Sequence, residues 1–461
     1  MASWTSRLIH ESGFRAIAQS SRDTKLLCMQ RFVRLFAYGA SFLILAQYLS
    51  SLSISDSKIG LFMTLTLLGD VVLSFLLTAI TDQVGRRRVL AAGAASLTMS
   101  GIVFAVSSNY WILLVASVVG VISPSGNEIG PFRAVEESIL AHLTAKEERS
   151  DIFAWYTLIG TAGAALGTIT CGWTVQLLSG RDGWTNDSAY RVVFILYAAL
   201  GVAKLVLVCC LSPAVELSQK ETQCREVATE EDSLIPEGDA TIPTDPTSKH
   251  QTTTLQRLRS LFPSISPLSI SILSRLLVLF TLDSFASGLA SPSWLTYFFS
   301  TVHHLPPSGL GTLFLVSNLL ATVSNLAALP IARRLGPLKT MVFTHLPSAV
   351  FLALIPLPNA TWPAMALLAL RACTQSMDQA PRQAFLAAAV LPEERTAVLG
   401  VVNVVKTLAQ AGGIGTAGVL AGRQMWVVSL GGAGGMKAVY DLLMLWMFLG
   451  LGERGGQTTG V

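Results

Sequence analysis

Twelve long apolar runs constrain this chain more than any other feature. They lie near residues 32–52, 58–80, 89–107, 110–129, 152–178 and 190–211, and again near 268–299, 307–331, 338–357, 361–380, 396–417 and 434–452. A helix needs about 20 mostly apolar residues to cross the hydrocarbon core of a bilayer. The expected fold class is therefore an all-α membrane protein with twelve transmembrane helices. Composition agrees: 51% of the 461 residues are hydrophobic and 13% are charged, where a soluble domain is nearer one quarter charged.

Between the sixth and seventh runs the composition changes. Residues 212–262 are rich in Ser, Thr, Pro, Glu and Lys and lack the apolar periodicity of a packed core. They read as a disordered linker, with one short helix predicted around LQRLRSLF (255–262). The chain divides into an N-terminal segment (1–29), a six-helix bundle (30–211), the linker (212–262), a second six-helix bundle (263–452) and a tail (453–461). The two bundles repeat one another. Ser57-Lys-Ile-Gly60 recurs as Ser308-Gly-Leu-Gly311, Val84-Gly85 as Leu335-Gly336 and Trp111 as Trp362, all at one constant offset. Two related six-helix halves point to a pseudo-two-fold transporter rather than a receptor or a membrane enzyme.

Lys and Arg set the orientation. Arg86, Arg87 and Arg88 follow the second run, Arg133, Lys146 and Arg149 the fourth, Arg333, Arg334 and Lys339 the eighth, and Arg382 and Arg395 the tenth. The linker adds Lys220, Arg225, Lys249, Arg257 and Arg259. The opposite loops SSN (107–109), VHHLPP (302–307) and PLPNAT (356–361) have none. Positive loops stay on the cytoplasmic side, so both termini and the linker are expected there, in the plasma membrane by default. Two N-x-S/T sequons, at Asn186 and Asn359, fall on the opposite side and are candidate glycosylation sites.

Several classes are disfavoured. A net charge of +4 over this length does not suggest a nucleic-acid partner. The six cysteines form no C-x-x-C pair, and the six histidines form no H-E-x-x-H. No metal site, cofactor, catalytic residue or Walker loop is expected, so the chain is not read as an enzyme or an ATP-driven pump. Arg7, Arg15, Arg22 and Lys25 are spread through the first thirty residues, unlike a secretory signal.

The loop TAITDQVGRRRVL (78–90) resembles the G-x-L-a-D-r-x-G-R-[RK]-x-x-L motif of the major facilitator superfamily, matching at Asp82, Gly85, Arg86, Arg87 and Leu90 and departing at Thr78 and Gln83. Its counterpart IARRLGPLK (331–339) keeps Gly336 but has Arg333 in place of the aspartate. Residues 371–406 resemble the helix-ten to helix-eleven segment of a poorly characterised bacterial and fungal branch, and SPSGNEIGPF (123–132) its helix four. The resemblance implies two pseudo-symmetric six-helix bundles and alternating access. It also implies a gating role for Asp82, Gly85, Arg86 and Arg87. The arginines would pair with acids on neighbouring helix ends, such as Glu136 or Glu137. Helix five, GTAGAALGTITCG (160–172), lacks the proline of the superfamily's drug/proton antiporters.

Ionisable residues at bilayer depth are costly and so are functional candidates. Asp70 lies about 18 Å from the end of its helix at Asp82, at 1.5 Å per residue. It is expected to pair with Lys406 across the halves in one conformation. Asp70, Glu128 and Asp378 are the proton-coupling candidates. Asp283, Arg371, Lys406 and Asn127 are the substrate-binding candidates, with Arg371 and Asp378 expected on one helix face. The expected function is a monomeric, proton-coupled secondary transporter of a small organic solute, leaning to efflux of a metabolite or toxic compound. Uptake of an anionic metabolite is the alternative, and a transport-inactive membrane sensor is disfavoured by the short tail GERGGQTTGV (452–461).

Overall fold

The computed structural model describes residues 14–120, 122, 131–145, 148–216, 267–379, 381–382, 385–386 and 394–455, and among them every regular element is a helix. Residues 217–266, hence most of the expected linker and its short helix, lie outside the described residues.

The first six spans run Arg22–Ser51 (span 1), Asp56–Val84 (span 2), Arg86–Val106 (span 3), Tyr110–Val119 with Pro131–Leu143 (span 4), Arg149–Ser179 (span 5) and Asn186–Cys209 (span 6). The second six run Pro267–Leu289 with Pro292–Thr301 (span 7), Pro307–Leu335 (span 8), Pro337–Leu354 (span 9), Thr361–Gln375 (the described helix of span 10), Arg395–Gly422 (span 11) and Gly432–Gly455 (span 12). Eight of the described helices are long and apolar enough on their own to cross a membrane. The chain folds as two six-helix bundles. The face where span 6 ends and span 7 begins is the linker face, and the opposite one is the distal face.

Local chemistry sets the ends. Asn109 accepts hydrogen bonds from the backbone N–H of Trp111 and Ile112, and Thr185 forms a capping box with Ser188. Proline opens spans 8 and 9, where its missing N–H costs nothing. Gly85 and Gly336, paired by the sequence repeat, both form the corner between two spans, with φ of 99° and 82°. That left-handed conformation is strained for residues with a Cβ.

The other glycine pair in the repeat has a packing role. A Cβ on Gly60 would fall 2.8 Å from the Gly418 Cα in span 11, and a Cβ on Gly311 would fall 2.6 Å from the Thr168 carbonyl oxygen in span 5. Spans 2 and 11, and spans 8 and 5, thus touch backbone to backbone across the two halves, the close approach that small residues permit between membrane helices. The helix-five glycines work likewise within the first half: Gly163 and Gly167 lie against the Phe32 and Phe36 carbonyls of span 1.

Contacts between the halves cluster at one level. Thr64 donates to the Ala411 carbonyl (2.9 Å), Ser293 to the Phe42 carbonyl (3.2 Å) and Tyr297 to Asp56 (2.7 Å); Phe42 meets Phe314 edge-on at 5.8 Å. The hydrogen bonds and the ring contact seen between halves lie in the distal half of the molecule. Cys28, Cys171, Cys209, Cys210 and Cys373 are free thiols, and Cys209 and Cys210 are exposed rather than packed.

If Gly60 and Gly418 set the distal closure, Gly418→Val opens it. Spin labels placed at Ser53 and His304, in loops of opposite halves on the distal face, then report a longer mean distance than in the parent protein.

Candidate functional site

Each half buries a cluster of charges at bilayer depth. In the first half Glu136, on the linker-side helix of span 4, has no exposed surface. Its carboxylate accepts from Arg34 of span 1 (2.5 Å) and from the Tyr156 hydroxyl of span 5 (2.6 Å), and faces Lys204 of span 6 at 3.4 Å. Arg31 stacks its guanidinium over the Tyr156 ring at 4.1 Å.

In the second half the acid comes from the first helix and the arginine from the region of the fourth, while the sixth again supplies a lysine. Asp283 of span 7 accepts from Lys437 of span 12 (2.6 Å) and from Arg382 (3.1 Å), just beyond the helix of span 10. Lys437 also donates to Ser287 (2.7 Å). Arg382 pairs with Asp378 as well and lies over the rings of Phe280 and Tyr440. One turn from Lys437, Asp441 faces His345 of span 9 at 2.9 Å. The first, fourth and sixth helices of each half therefore share a buried ion cluster, with an acid at its centre and two cations around it. In low-dielectric surroundings such a centre is tolerable only when paired.

The arginine loop is held differently from the expectation. Span 6 ends in a short turn at Pro213–Val215, and the Glu216 carboxylate beyond it accepts from the backbone N–H of both Arg86 (2.9 Å) and Arg87 (3.0 Å). It caps the N-terminus of span 3, where a negative group is favoured by unpaired N–H donors and by the helix dipole. The Arg86 side chain donates to Ser138 and that of Arg87 to the Cys209 carbonyl. The acids predicted to meet these arginines have other partners: Glu136 as above, and Glu137 with Arg133 at 2.7 Å. Asp82 falls in the last turns of span 2, with its side chain outside the described part.

The structure brings Asp283 and Asp378 together through Arg382. It does not bring Asp70 to Lys406. Span 2 meets span 11 through Gly60 and Thr64, whereas Asp70 shares a face with Thr66, which meets Ser117 of span 4 at 2.7 Å. Lys406 lies over the Phe280 ring at 5.3 Å. Arg371 and Asp378 do not share a helix face, because the helix stops at Gln375 and Asp378 sits in the following turn. Asn127 and Glu128 lie outside the described residues. Asn186 and Asn359 are both exposed at the distal face.

Sequence reasoning missed Arg34, Lys204, Lys437 and Asp441, although each is an ionisable residue inside an apolar run, the same signal that singled out Asp70 and Asp283.

Comparison with known proteins agrees with this architecture. The family model described as Major Facilitator Superfamily matches residues 27–274. A membrane protein of Saccharomyces cerevisiae described as uncharacterized, YJR124C, is 38% identical over 94% of this chain and 96% of its own length. The quinolone resistance protein NorA of Staphylococcus aureus is 21% identical over 38% of this chain and 41% of its own. Among solved structures, a D-xylose–proton symporter superposes with a TM-score of 0.66 at 14% identity, covering 91% of this chain and 96% of that one.

Replacing Glu136 by Gln strands Arg34 and Lys204 without a counter-charge, and removing one partner of a buried pair costs about 3–5 kcal/mol. Glu216→Ala removes only a helix cap, worth about 1 kcal/mol. Thermal unfolding of the purified variants should rank them in that order, with Glu136→Gln far the lower.

Proposed function

The chain belongs to the major facilitator superfamily, and from that premise we propose that it is a secondary transporter carrying a small organic solute across a membrane by alternating access. The observation that carries this reading is the confinement of contacts between halves to the distal side. Two bundles whose described contacts gather at one side correspond to one of the two end states that a rocking mechanism needs. The two ion clusters are each internal to one bundle, so each bundle can move as a body without breaking them.

The positive residues flank the linker face, which we assign to the cytoplasm. The conformation is then inward-facing, and Asn186 and Asn359 lie outside as glycosylation acceptors. Gly85, Arg86 and Arg87, with Glu216, form the hinge of the cytoplasmic side. Transport is coupled to protons, with Asp70, Asp378 and Glu128 as carriers, and runs outward. The relative named for quinolone resistance supports export, since removal of a toxic compound is one route to resistance. The plasma membrane is the assigned location.

One observation favours a second reading, uptake of an anionic metabolite. The Arg371 guanidinium makes no hydrogen bond or ion pair among the described residues. A cation at that depth without a counter-charge suits an anionic group on a solute.

Proteoliposomes loaded with a pH-sensitive dye test these readings against pooled solutes. Solute-triggered proton movement is expected in the parent protein and at least a tenfold loss in Asp70→Asn. The sign of the movement separates export from uptake, and Arg371→Gln abolishes flux only if the solute is anionic. Solute flux without proton movement removes the proton coupling. No flux for any solute removes the transporter reading and favours a sensor.

A further inference from the structure

Span 6 ends on two adjacent cysteines. Cys209 is its last helical residue and Cys210 its C-cap. Both are exposed, whereas Cys28 and Cys171 are buried and Cys373 is half-buried. The two thiols extend a stripe. Along span 6, Ile195, Ala199, Val202, Ala203 and Val206 are exposed, at the spacing of residues on one helix face. Cys209 and Cys210 come next at that spacing. Span 6 is long and apolar enough to cross a membrane, and an apolar face that such a helix leaves exposed is turned to lipid. The thiols therefore stand where the lipid-facing stripe reaches the linker face.

A second feature marks the same level. The Arg87 side chain donates to the Cys209 carbonyl at 2.6 Å, and the next residue, Arg88, is exposed. An arginine head group settles at the edge of the hydrocarbon, in the layer of water and lipid head groups. Beyond the pair the chain turns inward. Leu211 and Val215 are buried, the Ser212 backbone N–H and hydroxyl both donate to Asp23 of span 1, and Glu216 caps span 3. The turn passes beneath the bundle and leaves both thiols at its outer rim.

Juxtamembrane thiols are the acceptors of reversible S-acylation. The donor is a cytoplasmic metabolite, so the inference rests on the assignment of the linker face to the cytoplasm. We propose that the Cys209–Cys210 pair carries long-chain fatty acyl groups on sulfur, donated by an acyl-coenzyme A thioester. The cysteine Sγ attacks the thioester carbonyl carbon. A new sulfur–carbon bond forms as the bond from that carbon to the coenzyme A sulfur breaks. Coenzyme A leaves with the electron pair and takes up the proton lost by the cysteine. No oxidant or reductant enters. The donor's phosphates are anionic, and the guanidinium groups of Arg87 and Arg88 flank the approach to the thiols.

The position gives the modification a consequence. An acyl chain leaving this pair lies along Val206, Val202 and Ile195, in the leaflet that borders the linker face. It anchors the end of span 6, which Arg87 and Glu216 tie to the start of span 3. Thioester hydrolysis releases that anchor. The chain sits on the lipid side of the bundle, so the modification does not depend on which solute is carried.

The test uses the full-length protein taken from the membranes of a eukaryotic host. Free thiols are blocked with N-ethylmaleimide in denaturant, thioesters are cut with neutral hydroxylamine, and the thiols released are tagged with a polyethylene glycol maleimide. A hydroxylamine-dependent mass shift is expected in the parent, in Cys373→Ser and in Cys224→Ser, and its loss in the double variant Cys209→Ser, Cys210→Ser. Mass spectrometry of the parent should place the acyl group on the peptide that carries both residues, which decides the matter even if the double variant fails to fold. The proposal falls if hydroxylamine releases no thiol in the parent, if the double variant keeps the full shift, or if only a reductant releases the thiols, the mark of a disulfide. Orientation is read separately, from labelling of Ser53→Cys on the distal face of intact cells by an impermeant maleimide. Labelling without an acyl shift ends the proposal and leaves the orientation standing; an acyl shift without labelling does the reverse.

Discussion

A charge inside a bilayer must be neutralised by its neighbours, because no bulk water is there to do it. Each half of this protein meets that requirement internally for its central ion cluster. Glu136 sits between Arg34 and Lys204, and Asp283 between Arg382 and Lys437. Each cluster ties the first, fourth and sixth helices of its half. A buried pair contributes little net stability over apolar packing, yet breaking it is costly. The clusters therefore act against deformation of a half, and any large movement is directed to the boundary between halves. Two bundles that each hold their own ion cluster can move relative to each other without breaking it.

The boundary itself is built from weak, reversible contacts. Gly60 against Gly418 and Gly311 against Thr168 allow backbone approach with no side-chain interlock. The polar contacts there are single hydrogen bonds, such as Tyr297 to Asp56 and Thr64 to the Ala411 carbonyl, each worth about 1 kcal/mol net. Such a surface separates readily. At the linker face one tie is internal to the first half: Glu216 fastens the end of span 6 to the start of span 3. The chain leaving span 6 is thus anchored on its own half before it crosses to the other.

Much of this was legible because it is local. The apolar runs announce spans through composition alone, and Gly85 and Gly336 announce corners because few other residues adopt the backbone angle found there. The repeat of Gly60 as Gly311 marked a real equivalence, and its meaning, close contact across the halves, emerged once the partner helices were known. Pairing was not legible. Glu136 looked available to the arginine loop because both lie near the linker face, but helix rotation points it at Arg34. Asp70 and Lys406, expected to pair in one conformation, are apart in this one, where other residues of span 2 face span 11. Arg371 and Asp378 looked co-facial only while the helix was taken to continue past Gln375. The partner of Glu136 is a matter of azimuth about a helix axis, which hydropathy along a buried helix hardly encodes, since a span that is apolar all round has no strong polar stripe to orient it.

The contrast between paired and unpaired acids then has mechanistic weight. A carboxylate locked between two cations is a poor carrier of an exchangeable ion, because displacing its partners breaks the half that holds it. A carboxylate without such partners can take up and release a proton at little structural cost. Glu136 and Asp283 belong to the first kind and Asp70, buried with neither oxygen in a hydrogen bond, to the second. A proton on Asp70 changes the charge of span 2 by one unit at mid-membrane, on the helix whose other face makes the distal contact. The energy available to shift such an equilibrium is the difference in proton affinity between the two conformations.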